Sequence, residues 1–260
     1  MTNKTSSIQV IDRMSRLIDA IAQYDVPVSL KILSADTGLH PSTAFRILAS
    51  METHEFVERD ESGRYRLGIR FLRLGGRIRS RLDLRQEARG IMAALRDQVG
   101  ETVNLAVREG DEMVYVERAK SNRMMRVEQV VGSRAPLHVT AVGKLMLGEE
   151  GESSCRSYAE RTRLPAYTPN TLTDVDRLVG CAQQDTAQGY SLDNEEAELG
   201  VGCIGVLVRD SRGQAVAGLS VSSPIERRRD EWIPLVMDAA RRLSERLGYQ
   251  APVELAANDG

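Results

Sequence analysis

Aromatic residues make up only 4% of this 260-residue chain, with one tryptophan and three phenylalanines. Stacking the successive bases of a single strand needs aromatic platforms, so that mode of nucleic-acid binding is not expected. Three cysteines, Cys155, Cys181 and Cys203, are too few for a disulfide framework and have no metal-ligand spacing, which fits a reducing cytosol. Neither a metal site nor a cofactor is expected. No apolar run approaches the length of a membrane span, and the N-terminus lacks the apolar core of a signal peptide. A soluble, cytoplasmic protein without membrane contact is the expectation. A net charge of −2 excludes a strong overall bias, but the charge is uneven. Residues 1–82 hold 13 Lys and Arg against 9 Asp and Glu, a balance of +4, and the remainder carries −6. The front half therefore suits a phosphate-bearing partner better than the back half.

What is present begins with the stretch LKILSADTGLHPSTAFRILASMETHEFVERDESGRYRL at residues 30–67. Leu30 to Thr37 has the pattern of a short helix, and Gly38 stops it, because glycine takes positive φ cheaply. Pro41 suits the first position of a new helix, where no N–H is needed. Ala44, Ile47, Leu48 and Met51 then fall on one buried stripe. Ser42, Thr43, Arg46, Ala49 and Ser50 are left on the opposite face. Small hydroxyls with one arginine suit a helix lying in a major groove, touching phosphates and base edges. Two short strand-like runs, Phe56 to Arg59 and Tyr65 to Leu67, flank a polar turn and form a wing. Arg64 and Arg66 are placed there to meet phosphate. A preceding helix has Ile11, Met14, Leu17, Ile18 and Ile21 as its buried stripe, with Arg13 and Arg16 among its polar positions. The expected DNA contacts are Arg13, Ser42, Thr43, Arg46, Ser50 and Arg64. The alternative, a small helical module that packs proteins, has the same helices but does not account for the wing.

Four segments follow from the pattern. Residues 1–67 are the winged helix-turn-helix unit, with residues 1–7 polar and loose. Residues 68–82 read as a linker helix containing Gly75 and Gly76, which weaken a helix by about 1 kcal/mol each relative to alanine. Residues 83–250 form an α+β domain, and 251–260 a frayed tail. Within the α+β domain, helices are expected over 84–99, 140–147, 153–162, 174–188 and 231–247. Strands are expected over 102–108, 112–119, 125–131, 190–192, 203–208 and 215–222.

The whole order resembles the IclR family of bacterial transcriptional regulators. The resemblance rests on Leu39 to Leu48, on Pro136 to Lys144, on Asp193-Asn194-Glu195-Glu196 leading to Gly200 to Gly205, and on Ala217 to Pro224. It implies a GAF-like C-terminal domain that binds a small effector, often a carboxylic acid. It also implies dimers paired through the DNA-binding domains, with tetramers as dimers of dimers. Carried over residue by residue, the effector site comprises Ala141, Val142, Asp193, Cys203, Ser220 and Ser222.

The residues themselves leave alternatives open. Ser220 and Ser222, two apart on a strand, project to one face and either line a cavity or bond neighbouring backbone. Ala141 and Val142 follow Thr140, a candidate N-cap, where free N–H groups attract a carboxylate or simply end a capped helix. Asp193 suits a pocket or an N-cap, and Cys203 a ligand contact or a buried structural thiol. His138, with Asp193 and Cys203, superficially resembles nucleophile machinery, but no nucleophile elbow or metal motif accompanies it, so His138 is expected to support a loop or flank the pocket. The expected function is a regulator that binds a roughly palindromic double-stranded operator under control of a small organic acid. An enzyme carrying a fused regulator and a constitutive DNA binder are the competing readings.

Overall fold

The computed structural model describes residues 8–79 and 83–251, and side chains up to 76 in the helix before the gap. The expected loose start at 1–7, the end of the linker at 80–82 and the tail from 252 onward lie outside the described residues. The chain divides into two compact units, Met1–Arg81 and Leu82–Gly260.

The first unit contains α1 (Gln9–Ala22), α2 (Leu30–Thr37), α3 (Pro41–Thr53), β1 (Val57–Arg59), β2 (Tyr65–Leu67) and α4 (Ile69–Arg79). Ser29 caps α2 by accepting from the Ile32 N–H, and Gly38 ends it at φ 65°. Its core is Leu17, Ile21, Leu33, Ala44, Leu48, Met51 and Tyr65. Strands β1 and β2 pair antiparallel, Val57 opposite Leu67, and Val28 bridges to Tyr65. The helix expected after the wing forms and runs through Gly75 and Gly76. It is tied to Phe56, the residue before β1, by the Phe56–Phe71 ring contact at 5.5 Å and by Arg70 over Phe56 at 4.5 Å.

One expectation for α1 fails. Ile11 is 56% exposed, while Leu17, Ala20 and Ile21 are buried and Met14 and Ile18 pack partly. A cleft of about 410 Å³ opens between α1 and α3, lined by Val10, Arg13, Met14, Thr43, Arg46 and Ile47 among others, and Ile11 points outside it. The amphipathic period of α1 outruns the surface available to bury it.

The second unit is a three-layer α+β domain around one antiparallel sheet. Its elements are α5 (Leu84–Val99), β3 (Thr102–Glu109), β4 (Glu112–Ala119), β5 (Arg134–Pro136), α6 (Ala141–Glu150), α7 (Glu152–Thr162) and α8 (Val175–Gln188). There follow β6 (Ser191–Asn194), β7 (Val201–Arg209), β8 (Ala215–Pro224) and α9 (Ile233–Arg246). The strand order is β5-β4-β3-β8-β7-β6. Strand alternation gives the two faces different chemistry. Val103, Leu105, Ile204, Val206, Val208, Ala217, Leu219 and Val221 join the aliphatic core under α5 and α9. The intervening positions Asn104, Cys203, Gly205, Gly218, Ser220 and Ser222 are small or polar, and they face the side of α6 to α8.

The expected strand at 125–131 is absent, and the segment is irregular coil. Side chains hold its main chain where a ladder was expected: Thr102 Oγ1 donates to the Val127 carbonyl at 2.8 Å and Arg118 Nη1 to the Gln129 carbonyl at 2.5 Å. The edge of β4 pairs with β5 instead, Met113 opposite Ala135. No helix among the described residues is long and apolar enough to cross a membrane.

Candidate DNA-reading face and effector cavity

In the first unit, α3 begins with Pro41 and is capped by His40, whose Nδ1 accepts from the Ser42 N–H at 3.4 Å and lies 2.8 Å from Ser42 Oγ. Burial of Ala44, Leu48 and Met51 leaves Ser42, Phe45, Arg46 and Ser50 exposed, with Thr43 and Ala49 half-buried. Of the six predicted contacts, Arg13, Thr43, Arg46 and Ser50 border the cleft between α1 and α3. Ser42 sits outside that cleft and is engaged by His40. Arg64 lies on the wing, where its N–H and Nε donate to the Asp60 carboxylate at 2.9 and 3.0 Å. Those bonds hold the Asp60 carboxyl below the usual carboxylate range, the backbone bond foremost. The expected phosphate contact Arg66 is likewise paired, to Glu58 at 2.7 Å. Surface pairs of this kind are worth little and exchange readily for a phosphate. The sequence reading missed His40 and Phe45. Phe45 follows from where the buried stripe of α3 falls, and His40 from its place just before Pro41 at the helix start.

In the second unit, the small face of the sheet lets α6 come close. A Cβ on Gly218 would stand 1.7 Å from Val142 Cγ1, and one on Gly205 would stand 2.9 Å from the Val142 nitrogen. These two glycines seat the start of α6 directly on β7 and β8. Thr140 caps the helix, accepting from the Gly143 N–H at 3.1 Å. The N–H groups of Ala141 and Val142 are then left without an intrahelical partner. Beside this helix end lies a cavity of about 440 Å³. Its wall includes Thr140, Ala141, Val142, Asp193, Cys203 and Ser220, with Met113, Tyr115 and Ala135 as apolar surface and residues 126–129 across it. Five of the six predicted effector residues thus meet around one space.

Ser222 is the exception. It is buried opposite Cys203, accepts from Asn104 Nδ2 at 3.1 Å and lies 3.2 Å from Cys203 Sγ, and it does not reach the cavity wall. Strand period placed Ser222 on the correct face, but its side chain is taken up by Asn104 and Cys203 and not by the space. Cys203 is buried, and burial followed by the neighbouring Asp193 pushes its thiol pKa up, so it is not a thiolate. Asp193 is 3% exposed. Burial pushes its pKa up to about 6, opposed by the Glu196 N–H that donates to Oδ1 at 2.8 Å. No helix follows Asp193, so of the two alternatives for this residue the N-cap is not realised, and its bond to the Glu196 N–H closes a turn. Glu196 is held in turn by Lys144, whose Nζ lies 2.5 and 2.7 Å from the two carboxylate oxygens and donates to the Leu192 carbonyl at 2.8 Å. Both partners of this pair are buried. The two stretches Pro136–Lys144 and Asp193–Glu196 therefore meet in an ion pair that fixes Asp193 at the wall. The pairing of Lys144 with Glu196 was missed because their separation of 52 residues gives no local signal.

His138 does not enter the cavity. Its Nδ1 accepts from the Tyr158 hydroxyl at 2.7 Å, that hydroxyl accepts from the His138 N–H at 3.2 Å, and Nε2 donates to the Pro165 carbonyl at 3.1 Å. Burial lowers its pKa and keeps it neutral in this loop-holding role. Among the described residues, no group of three or more His, Cys, Asp or Glu side chains could hold a metal ion.

A winged helix-turn-helix unit followed by an α+β unit with a polar-walled cavity defines the class of helix-turn-helix transcriptional regulators. Residues 10–61 match the IclR helix-turn-helix domain, and residues 77–247 match the C-terminal domain of bacterial transcriptional regulator IclR. The chain belongs to the IclR family of transcriptional regulators. It is 30% identical over 249 residues to the HTH-type transcriptional regulator XynR of Escherichia coli, covering 94% of this chain and 99% of that one. It is 32% identical over 248 residues to the E. coli transcriptional repressor AllR, covering 94% and 92%. The crystal structure of the Agobacterium tumefaciens repressor BlcR superposes with TM-score 0.80 at 28% identity, over 95% of this chain and all of that one. An IclR homologue of Microbacterium hydrocarbonoxydans complexed with 4-hydroxybenzoate does so with TM-score 0.59 at 25% identity, over 92% and 98%. These relatives are regulators, and the chain is a DNA-binding regulator and not an enzyme.

Proposed function

We propose that this regulator changes its operator affinity when a small organic acid binds the cavity of the second unit. The observation that carries the reading is the convergence of Ala141, Val142, Asp193, Cys203 and Ser220 on one space of about 440 Å³ at a helix start. Unpartnered N–H groups at a helix N-terminus favour a carboxylate by hydrogen bonding and by the helix dipole. Met113, Tyr115 and Ala135 supply apolar surface for the rest of the ligand. The neighbour bound to 4-hydroxybenzoate supports a ligand of this size and class.

In this reading residues 1–67 bind DNA, 68–82 form the linker helix and 83–250 bind the effector, in the cytoplasm. Arg13, Ser42, Thr43, Arg46, Ser50 and Arg64 meet the operator. The chain works as a homodimer, with a tetramer as its further assembly, so the operator is roughly palindromic. A thermal-shift screen of the full chain against small organic acids, 4-hydroxybenzoate included, tests the ligand class. A binder at 100 times its Kd adds about 2.7 kcal/mol to stability. A panel in which neutral amides and esters stabilise as well as their acids would defeat the carboxylate reading.

A further inference from the structure

We infer that Phe45 reads a base, by packing its ring against a thymine C5-methyl in the major groove. The inference rests on the proposed role of α3 as the helix that enters the groove. The chain has three phenylalanines, and the rings of the other two, Phe56 and Phe71, pack against each other. Phe45 is 43% exposed in the N-terminal half of α3, next to Arg46, at the flank of the buried stripe of Ala44, Leu48 and Met51. Its neighbours on that surface are small. Ser42 lies one turn before it and Ala49 one turn after, so the ring is the exposed apolar group between them.

The surrounding hydroxyls are also partly spent. Ser42 Oγ, one turn before the ring, is bound to His40 Nδ1 at 2.8 Å. A phenyl ring offers neither donor nor acceptor, so it gains nothing from a phosphate or a carbonyl base edge. The feature of the major groove that it matches is the thymine methyl. Covering that methyl removes apolar area of both partners from water. Phe45 and Arg46 then form a reading pair, the ring taking a thymine and the guanidinium the adjoining base edge or phosphate.

The test begins with a duplex selected from random DNA by the full-length protein. Binding is measured by fluorescence anisotropy on that duplex and on versions with one thymine at a time replaced by deoxyuridine, which removes only the methyl. For the unaltered protein, one such replacement in each half-site weakens binding about four-fold, the size expected for one methyl-sized apolar contact. Phe45→Ala weakens binding to the parent duplex and no longer responds to that replacement, and Phe45→Leu retains part of the response. Arg46→Ala, measured in parallel, weakens binding but keeps the response to the methyl. The inference is overturned if no deoxyuridine replacement matters, if the selected half-site contains no preferred thymine, or if Phe45→Ala still senses the methyl. In those cases a weakened Arg46→Ala leaves α3 as the DNA-facing helix. If Arg46→Ala and Phe45→Ala both bind as tightly as the unaltered protein, the reading of α3 fails and the inference fails with it. Unchanged circular dichroism and melting temperature of each variant exclude loss of fold as the cause.

Discussion

Asp193 is a carboxyl group buried at a cavity wall, fixed by one N–H donor and set beside a buried thiol. Its folded-state pKa, pushed up to about 6, lies above the unfolded value of about 3.9. The folded protein therefore holds this proton more tightly than the unfolded chain does. Asp193 favours folding below pH 4 relative to higher pH, and that advantage is lost as pH rises through 6. The difference amounts to at most about 3 kcal/mol. Asp193→Asn should flatten stability between pH 4 and 7 relative to the unaltered protein, measured by urea unfolding at each pH. Equal slopes for the two proteins would contradict the burial argument. A carboxylate effector placed beside Asp193 favours the protonated form further, so its binding should weaken above pH 6 and take up a proton. At this scale the sequence was a good guide to residue type and a poor guide to depth. Asp193, Cys203 and Ser220 could be assigned to the wall from their motifs. Ser222 could not be separated from Ser220, because strand period fixes a face and not the distance along it.

Among the elements, α6 shows how the sheet places a helix terminus. Gly205 in β7 and Gly218 in β8 both fall where α6 begins, against Ala141 and Val142. Gly218→Ala should cost about 1–3 kcal/mol through overpacking against Val142, read as a lower melting temperature. A neutral Gly218→Ala would mean that α6 shifts freely. The Lys144–Glu196 pair ties α6 to the turn that follows Asp193. Lys144→Met leaves a buried carboxylate unpaired and should cost about 3–5 kcal/mol, whereas Lys144→Met with Glu196→Leu should recover most of that loss. Equal instability of the single and double variants would show that the pair does more than neutralise its own charges. Helices were the elements most legible in the sequence, because a cap such as Thr140 and a stop such as Gly38 act locally. Residues 125–131 were misread because their apolar content matches a strand, while side chains from β3 and β4 take the carbonyls that a ladder would use. Ile11 falls outside the buried stripe expected for α1 for a similar reason, since periodicity does not reveal where the packing surface ends.

For the molecule as a whole, the central claim is that cavity occupancy in one unit alters DNA affinity in the other. Both units were legible in sequence, the first from its helix-turn-helix and wing, the second from its hairpins and motif order. Coupling between them leaves no comparable mark, because it is a difference in free energy between whole-chain states. A dimeric reader should protect two half-sites about 10 base pairs apart, or a multiple of that, in a footprint of the selected duplex. Protection of a single half-site would contradict the dimer. The most direct measurement of the central claim is a titration of the full-length protein onto the selected duplex, with and without a saturating organic acid taken from the thermal-shift screen. The account predicts that the acid changes the operator Kd, and that the change disappears in Ser220→Phe, whose larger side chain fills the cavity. An acid that stabilises the protein through the cavity while leaving operator Kd unchanged would contradict it.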